Sequence, residues 1–379
     1  MIDNRKTLYD NGVSELDING YRVILDEDGW VGHGGTCLVY HAKMIRNVNG
    51  KDIAQRILVK EFYPMLDPSE AIYIYRNEYG ELCIPDVAET SDAYTKKRQR
   101  FIQSFSMFSA LRNESGTNNY IVLSRDLVKS NGTLYMIMDH DEAVPLDVYL
   151  KGDITLYDMM FALKKTAMAL AELHKSGYVH LDVKPENMLY FKDGYIKIID
   201  TDSIIEKEKF KDDAEPKLLS YSEGYTAPEI VNYGGTGTED RLLYRRGERA
   251  DIYSLGAIFF EYLYGRTPDR IGDGLLDEAY DYEASLDDKI VKKYKDCPRT
   301  AKKLIRKLLR SMLADRSSER CNSMDSAISA INEILPYIEP TELIMIDNYK
   351  GNSYTIYGRE GKISEIVDKL NVQNENSGR

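Results

Sequence analysis

The hydrophobic period of the chain changes once, near residue 139, and that change limits the folds open to it. Before it, apolar residues come in short β-branched and aromatic runs at 21–25, 37–42 and 56–62. Glycine clusters and the segment 47–50 break these runs, as turn residues do. Residues 69–87 read as a further hairpin about 77–80. A helix is expected over 93–113, where Phe101, Phe105, Phe108 and Leu111 recur at helical spacing. Two strands follow, near 121–128 and 134–138. After residue 139 the helical period takes over. Leu156, Met160, Leu163, Ala167, Leu170 and Leu173 share one face of a long amphipathic helix, and helical patterns dominate from 250 to 335. Strands first and helices afterwards predict an α+β fold of two lobes, joined near 139–142.

The organisation expected is therefore an extension at 1–20, a strand-rich N-lobe at 21–139 with an inserted hairpin near 65–92, a helical C-lobe at 140–338 and a C-terminal extension at 339–379. In that tail, LIMID and SYTIY flank a turn at 350–352, and ISEIVDKL reads as a short helix. A length of 379 residues suits such a two-lobed unit at roughly 150 residues per folding unit. With 43% hydrophobic and 30% charged residues the chain can bury a core and is not disordered as a whole.

Charge and cysteine usage narrow the function classes. The net charge of -12 gives an acidic surface, which repels nucleic acid and anionic lipid. Cys37, Cys83, Cys297 and Cys321 are scattered, with no metal-binding or disulfide spacing, so a reducing cytoplasm is expected. The first residues are polar, and no apolar run reaches the length of a membrane span; the best, 255–263, contains Glu261. Neither nucleic acid nor membrane insertion is expected of this chain.

Four segments carry chemistry. Glycines at 32, 34 and 35 lie between two strands, where backbone N–H groups without Cβ interference can cover phosphate oxygens. By itself this is equally a hairpin turn. Lys60 ends an apolar strand and reads either as a snorkelling lysine or as a cation for nucleotide phosphates. The sharpest segment is HLDVKPEN at 180–187. There Asp182 can accept a hydroxyl proton, Lys184 can neutralise a phosphoryl group, and the Asn187 amide oxygen can hold Mg²⁺. The fourth, IKIID at 196–200, sets Asp200 at a strand end as a second hard oxygen ligand.

In this order, followed by GYTAPE at 224–229 and DIYSLG at 251–256, the set resembles the eukaryotic-like serine/threonine protein kinase family, with VKEFYP at 59–64 in a bacterial style. The resemblance runs from about residue 21 to 336. It implies ATP and Mg²⁺, with Mn²⁺ as a substitute, as cofactors and a protein hydroxyl as acceptor. Gly32, Gly34 and Val39 would cover ATP, and Lys60 would pair with its α- and β-phosphates. Met138 would stand behind adenine, and Asp139, His140 and Asp141 would form the hinge. Asp182 would be the base, Lys184 would meet the γ-phosphate, and Asn187 and Asp200 would hold the metal. Asp251 would support the catalytic loop, Glu229 would pair with Arg320, and Ser222 would contact Asp182 and Lys184.

The chain departs from the family pattern at four places. Cys37 replaces the third glycine of the loop. Leu181 replaces the arginine that normally receives an activation-loop phosphate, so activity is expected to depend little on loop phosphorylation. Asp200-Thr201-Asp202 replaces Asp-Phe-Gly. Ser104 falls where the family has the helix glutamate that pairs with Lys60, so either Lys60 is held by Asp200 and phosphate alone or a carboxylate from the inserted segment 65–92 substitutes. These departures keep open a pseudokinase or weakly active nucleotide-binding scaffold; a small-molecule kinase of the same fold is a minor alternative, because the Ala-Pro-Glu segment at 227–229 and Lys184 speak against it. Serines and Tyr221 of the loop 200–229, including Ser203 and Ser220, are candidate self-modification sites.

Overall fold

The fold is that of a computed structural model of the chain. It describes residues 5–18, 20–27, 31–66, 73–115, 120–121, 124–139, 143–152, 154–191, 194–199, 203–207, 222–231, 247–268, 297–338, 343–349 and 352–357.

The N-lobe is a curled antiparallel sheet. Its strands are β1 (Glu15–Ile18), β2 (Tyr21–Leu25), β3 (Val31–His33), β4 (Cys37–Val48) and β5 (Lys51–Phe62). After a two-strand hairpin, β6 (Tyr75–Arg76) and β7 (Leu82–Cys83), come β8 (Ser124–Ser130) and β9 (Thr133–Asp139). The sheet order is β1-β2-β4-β5-β9-β8, with β3 also paired to β4. β1 lies within the expected extension and pairs with β2 over its whole length. Two turns fix the long hairpins. Asn49 and Gly50 both take positive φ (53° and 80°), as do Asn131 and Gly132 (46° and 75°), the left-handed pair that follows the strand twist.

Both faces of this sheet are covered, and the period of two sorts its residues between them. Tyr40, Ala42, Met44, Ile57, Val59, Tyr135 and Ile137 join an outer core with Leu8, Leu16, Ile18 and Leu82. Phe62, Leu134, Met136 and Met138 face the other way, into the core shared with the C-lobe. That is why Thr133 to Met138 are buried without alternation. The inner face is covered by α2 (Asp92–Ser115), which follows the short α1 (Asp86–Glu89). Tyr94 and Phe101 of α2 pack on Phe62 at ring separations of 5.5 and 5.3 Å. The side chains of Phe108 and Leu111 lie outside the described residues.

The C-lobe opens with β10 (Ala143–Pro145), α3 (Leu146–Lys151) and α4 (Leu156–Lys175). The start of α4 is a capping box in which Thr155 and Asp158 satisfy each other's backbone N–H groups. Its apolar face, with Leu163, Ala167, Leu170 and Leu173 fully buried, packs beside α6 (Gly247–Tyr264) and α8 (Met324–Ile338). The order is completed by β11 (Tyr178–Val179), β12 (Met188–Phe191), β13 (Ile196–Ile198), β14 (Ile205–Glu206), α5 (Pro228–Val231) and α7 (Arg299–Leu313). The tail forms the expected hairpin, β15 (Leu343–Tyr349) with β16 (Asn352–Tyr357). The helix expected after it lies outside the described residues. No helix among the described residues is long and apolar enough to cross a membrane. The lobes are joined by a parallel bridge, Ile121 to Ile198, and by the Ile198 N–H donating to the Tyr120 carbonyl at 2.9 Å.

Candidate active site

The loop at 180–187 leaves α4 through Gly177 and β11 and is held by one buried carboxylate. Asp251, on α6, is fully buried. Its Oδ2 accepts the His180 N–H at 2.8 Å and lies 2.8 Å from His174 Nε2, and its Oδ1 accepts the Leu181 N–H at 2.7 Å. A carboxylate buried without such donors would cost several kcal/mol. Leu181 takes a left-handed φ of 63°, which costs an L residue about 1–2 kcal/mol. The bond from its N–H to Asp251 offsets that strain. Leu181 itself is buried in the core, where an arginine would need partners.

Asp182 sits at the bend so produced, 8% exposed. Lys184 Nζ donates to its Oδ2 at 3.0 Å, and Asn187 Nδ2 donates to the same oxygen at 3.1 Å and to the Asp182 carbonyl at 2.8 Å. Ser222 Oγ donates to Oδ1 at 2.6 Å, and Lys184 Nζ donates to Ser222 Oγ at 2.9 Å. A carboxylate has about four lone-pair sites, so three donors leave about one for an incoming hydroxyl. Ser222 is placed by Thr226, whose Oγ1 accepts its N–H at 2.8 Å.

The donor chemistry fits a hard cation. Asn187 turns its amide N–H groups onto Asp182, which directs its carbonyl oxygen away from that residue. Its main-chain carbonyl accepts the N–H of Ile199, the residue before Asp200, at 3.1 Å. Asp200 lies outside the described residues, as do Thr201 and Asp202.

Across the sheet, Gly32, Val39, Lys60 and Met136 are direct partners on four strands, β3, β4, β5 and β9. They therefore share one face, the one turned toward the C-lobe. Lys60 is 7% exposed and Met138, on the same face of β9, is 4% exposed. Gly34 donates its N–H to the Cys37 carbonyl at 3.1 Å. A Cβ placed on Gly35 would meet no atom within 4 Å, so close packing does not require glycine at this exposed position. Cys37 is buried, which takes its thiol away from solvent. Asp139 pairs with Arg125 Nε. His140 and Asp141 lie outside the described residues.

Ser104, on α2, is buried and donates its hydroxyl to the Phe101 carbonyl at 2.8 Å, within its own helix. Among the described residues of the insert the buried charged side chain is a cation, Arg76, and it meets the residue beside Lys60. Arg76 Nη2 donates to Glu61 Oε2 at 2.5 Å, with both side chains fully buried. Burial opposes the Arg76 charge, and the Glu61 carboxylate outweighs it, so its pKa stays above the ordinary value. Tyr40 and Tyr135 hydroxyls donate to the same carboxylate at 3.0 and 2.9 Å. Sequence reading missed this cluster, although an acidic residue inside the apolar strand 57–62 was a visible signal. It also missed His174.

In the lower C-lobe, Glu229 and Arg320 meet through two parallel bonds of 2.7 and 2.8 Å. The carbonyls of Ala314, Arg249 and Asp315 take the remaining N–H groups, so all five donors of this buried guanidinium are used. Ser203 is 7% exposed and lies 3.4 Å from His180 Nδ1, a position that is closed to modification in this conformation. Ser220 and Tyr221 lie outside the described residues.

Residues 73–330 match the family model described as protein kinase domain. The chain belongs to this family. The match begins after the glycine turn and Lys60. Among curated proteins, the chain is 36% identical over 155 residues to a putative ribosomal protein S6 kinase alpha-1 of Caenorhabditis elegans, covering 39% of this chain and 18% of that protein. It is 29% identical over 226 residues to human ribosomal protein S6 kinase alpha-2, covering 55% and 29% respectively. Human ribosomal protein S6 kinase alpha-6 is 27% identical over 278 residues, 68% of this chain and 34% of the relative. The chain thus spans about a third or less of the length of these relatives.

Proposed function

We propose that the chain is a Mg-ATP-dependent serine/threonine protein kinase. The observation that carries this reading is the Asp182 carboxylate, oriented by Lys184, Asn187 and Ser222 in a loop tied to Asp251. An acceptor hydroxyl at its remaining lone pair would pass its proton to Asp182 as its oxygen bonds to the γ-phosphorus of ATP. The bond from that phosphorus to the β,γ-bridging oxygen breaks, and ADP leaves. Lys184 would meet charge on the transferred group, and Lys60 charge on the phosphates that leave. Asn187, with Asp200, would hold Mg²⁺, which neutralises phosphate charge when bound. Lysine two residues after the base supports a serine or threonine acceptor over tyrosine. Free thiols at all four cysteines support a reducing, cytoplasmic setting.

One observation favours a second reading. Ser104 supplies no carboxylate at the helix position, which suits a scaffold that binds nucleotide and transfers slowly. Transfer of label from [γ-³²P]ATP to the chain or to a generic protein acceptor separates the two. For the kinase, Asp182→Ala lowers the rate by about 10²–10⁴-fold and leaves ATP binding in place. Thermal stabilisation by ATP without transfer above that variant would establish the scaffold instead.

A further inference from the structure

The glycine turn is held from outside by three donors. Its consecutive carbonyls at Gly34, Gly35 and Thr36 accept bonds from Arg5 Nη2 at 2.6 Å, the Met65 N–H at 2.9 Å and the Tyr63 N–H at 3.1 Å. Two of these donors belong to the chain leaving β5. The third comes from the fifth residue, outside the lobe that the motifs define. Arg5 Nη1 also donates to the Tyr63 carbonyl, and its guanidinium lies 5.7 Å over the Tyr63 ring. One planar fork thus ties the glycine turn to the end of β5.

The segment behind Arg5 is built in. Leu8 is fully buried in the outer core, and its N–H donates to the Tyr40 hydroxyl at 3.2 Å. Arg76 Nε donates to the Lys6 carbonyl at 3.1 Å, and Asn11 Nδ2 to the Asn77 carbonyl at 2.8 Å. Tyr9 donates its hydroxyl to the Asp26 carbonyl at 2.9 Å. Residues 5–13 are therefore seated on β4 and on the insert together. The Tyr40 hydroxyl and Arg76 that receive them are the same groups that meet Glu61, next to Lys60.

In a trans peptide the N–H points opposite to its carbonyl. Holding each carbonyl from outside aims the N–H of the next residue away from the donor, and a cation on the carbonyl polarises that N–H further. We propose that residues 5–13 are an intrinsic brace of the phosphate-covering turn. Arg5 is its positioning residue, fixing the peptide between Gly34 and Gly35. This rests on the nucleotide-binding reading above.

The test uses the full chain with Arg5→Ala and Arg5→Lys. Three quantities are compared: hydrogen exchange over 34–37, ATP affinity by titration, and KM for ATP against kcat. For Arg5→Ala, exchange at 34–37 speeds up and ATP Kd and KM rise about three- to tenfold, what a partly exposed charged hydrogen bond is worth. kcat, the KM for the protein acceptor and the urea midpoint stay near wild type. Arg5→Lys recovers part of the loss, because an ammonium is a point charge without the fork. Unchanged exchange at 34–37, or a wild-type ATP affinity in Arg5→Ala, overturns the proposal. So does a fall in the urea midpoint with no recovery by lysine, which marks a merely structural role. A wild-type chain that binds no ATP sinks the kinase reading alone, since exchange at 34–37 still decides the brace.

Discussion

Glu61 and Lys60 are neighbours in one strand with opposite surroundings. Lys60 stands on the face turned toward the C-lobe, while Glu61 collects Arg76, Tyr40 and Tyr135 on the far side of the sheet. Burial first, and then the Glu61 charge, push both phenols far above their usual range. In the unfolded chain they titrate near pH 10. The neutral phenols thus contribute stability that is fully present below about pH 10 and is lost as pH rises above it, because the unfolded state releases protons first. Urea midpoints followed from pH 8 to 11 are expected to fall along an alkaline limb. In Tyr40→Phe and Tyr135→Phe the slope of that limb flattens, whatever the starting level. An equal slope in all three proteins would remove these two phenols as its source.

Several elements around the candidate site were legible because their signals are local. The stripe from Leu156 to Leu173 starts with α4 and ends two residues short of it, and the segment 47–50 gives the turn between β4 and β5. The loop at 180–187 was legible as a string, but its fastening to Asp251 through two backbone N–H groups was not, since backbone donors leave no mark in composition. The outer covering of the sheet was illegible for a related reason. It is made of contacts between residues distant in sequence, such as Arg5 with Gly34 and Arg76 with Glu61. The insert shows how tightly such contacts are set. A Cβ on Gly132 would stand 2.1 Å from the Leu82 carbonyl oxygen, at a φ of 75°. Gly132→Ala is expected to cost about 2 kcal/mol or more, since it meets both a strained dihedral and a backbone clash. Urea unfolding measures this loss, with local exchange around Leu82 and β8–β9 rising first. A variant as stable as wild type would show that the insert docks loosely.

In the assembled molecule Asp182, the proposed base, is held without a phosphate. Ser222 and Lys184 already hold Asp182, and Leu181 stands buried where the family has a phosphate-receiving arginine. Protein treated with a broad phosphatase is therefore expected to transfer label at the same rate as untreated protein. A strict requirement for loop phosphate, restored by phosphomimetic change at Ser220, would contradict this; Ser222→Ala is read separately, because it removes a contact to Asp182. The two lobes are not independent either. The strand that runs toward Asp200 is stitched to the upper lobe by the Tyr120 carbonyl and the Ile121–Ile198 bridge. Such a stitch resembles the spine of a book: it binds the two covers along the edge where they meet. The backbone at Ile198, at the C-lobe side of that stitch, is thus tied to the upper lobe by a main-chain bond as well as by side-chain packing.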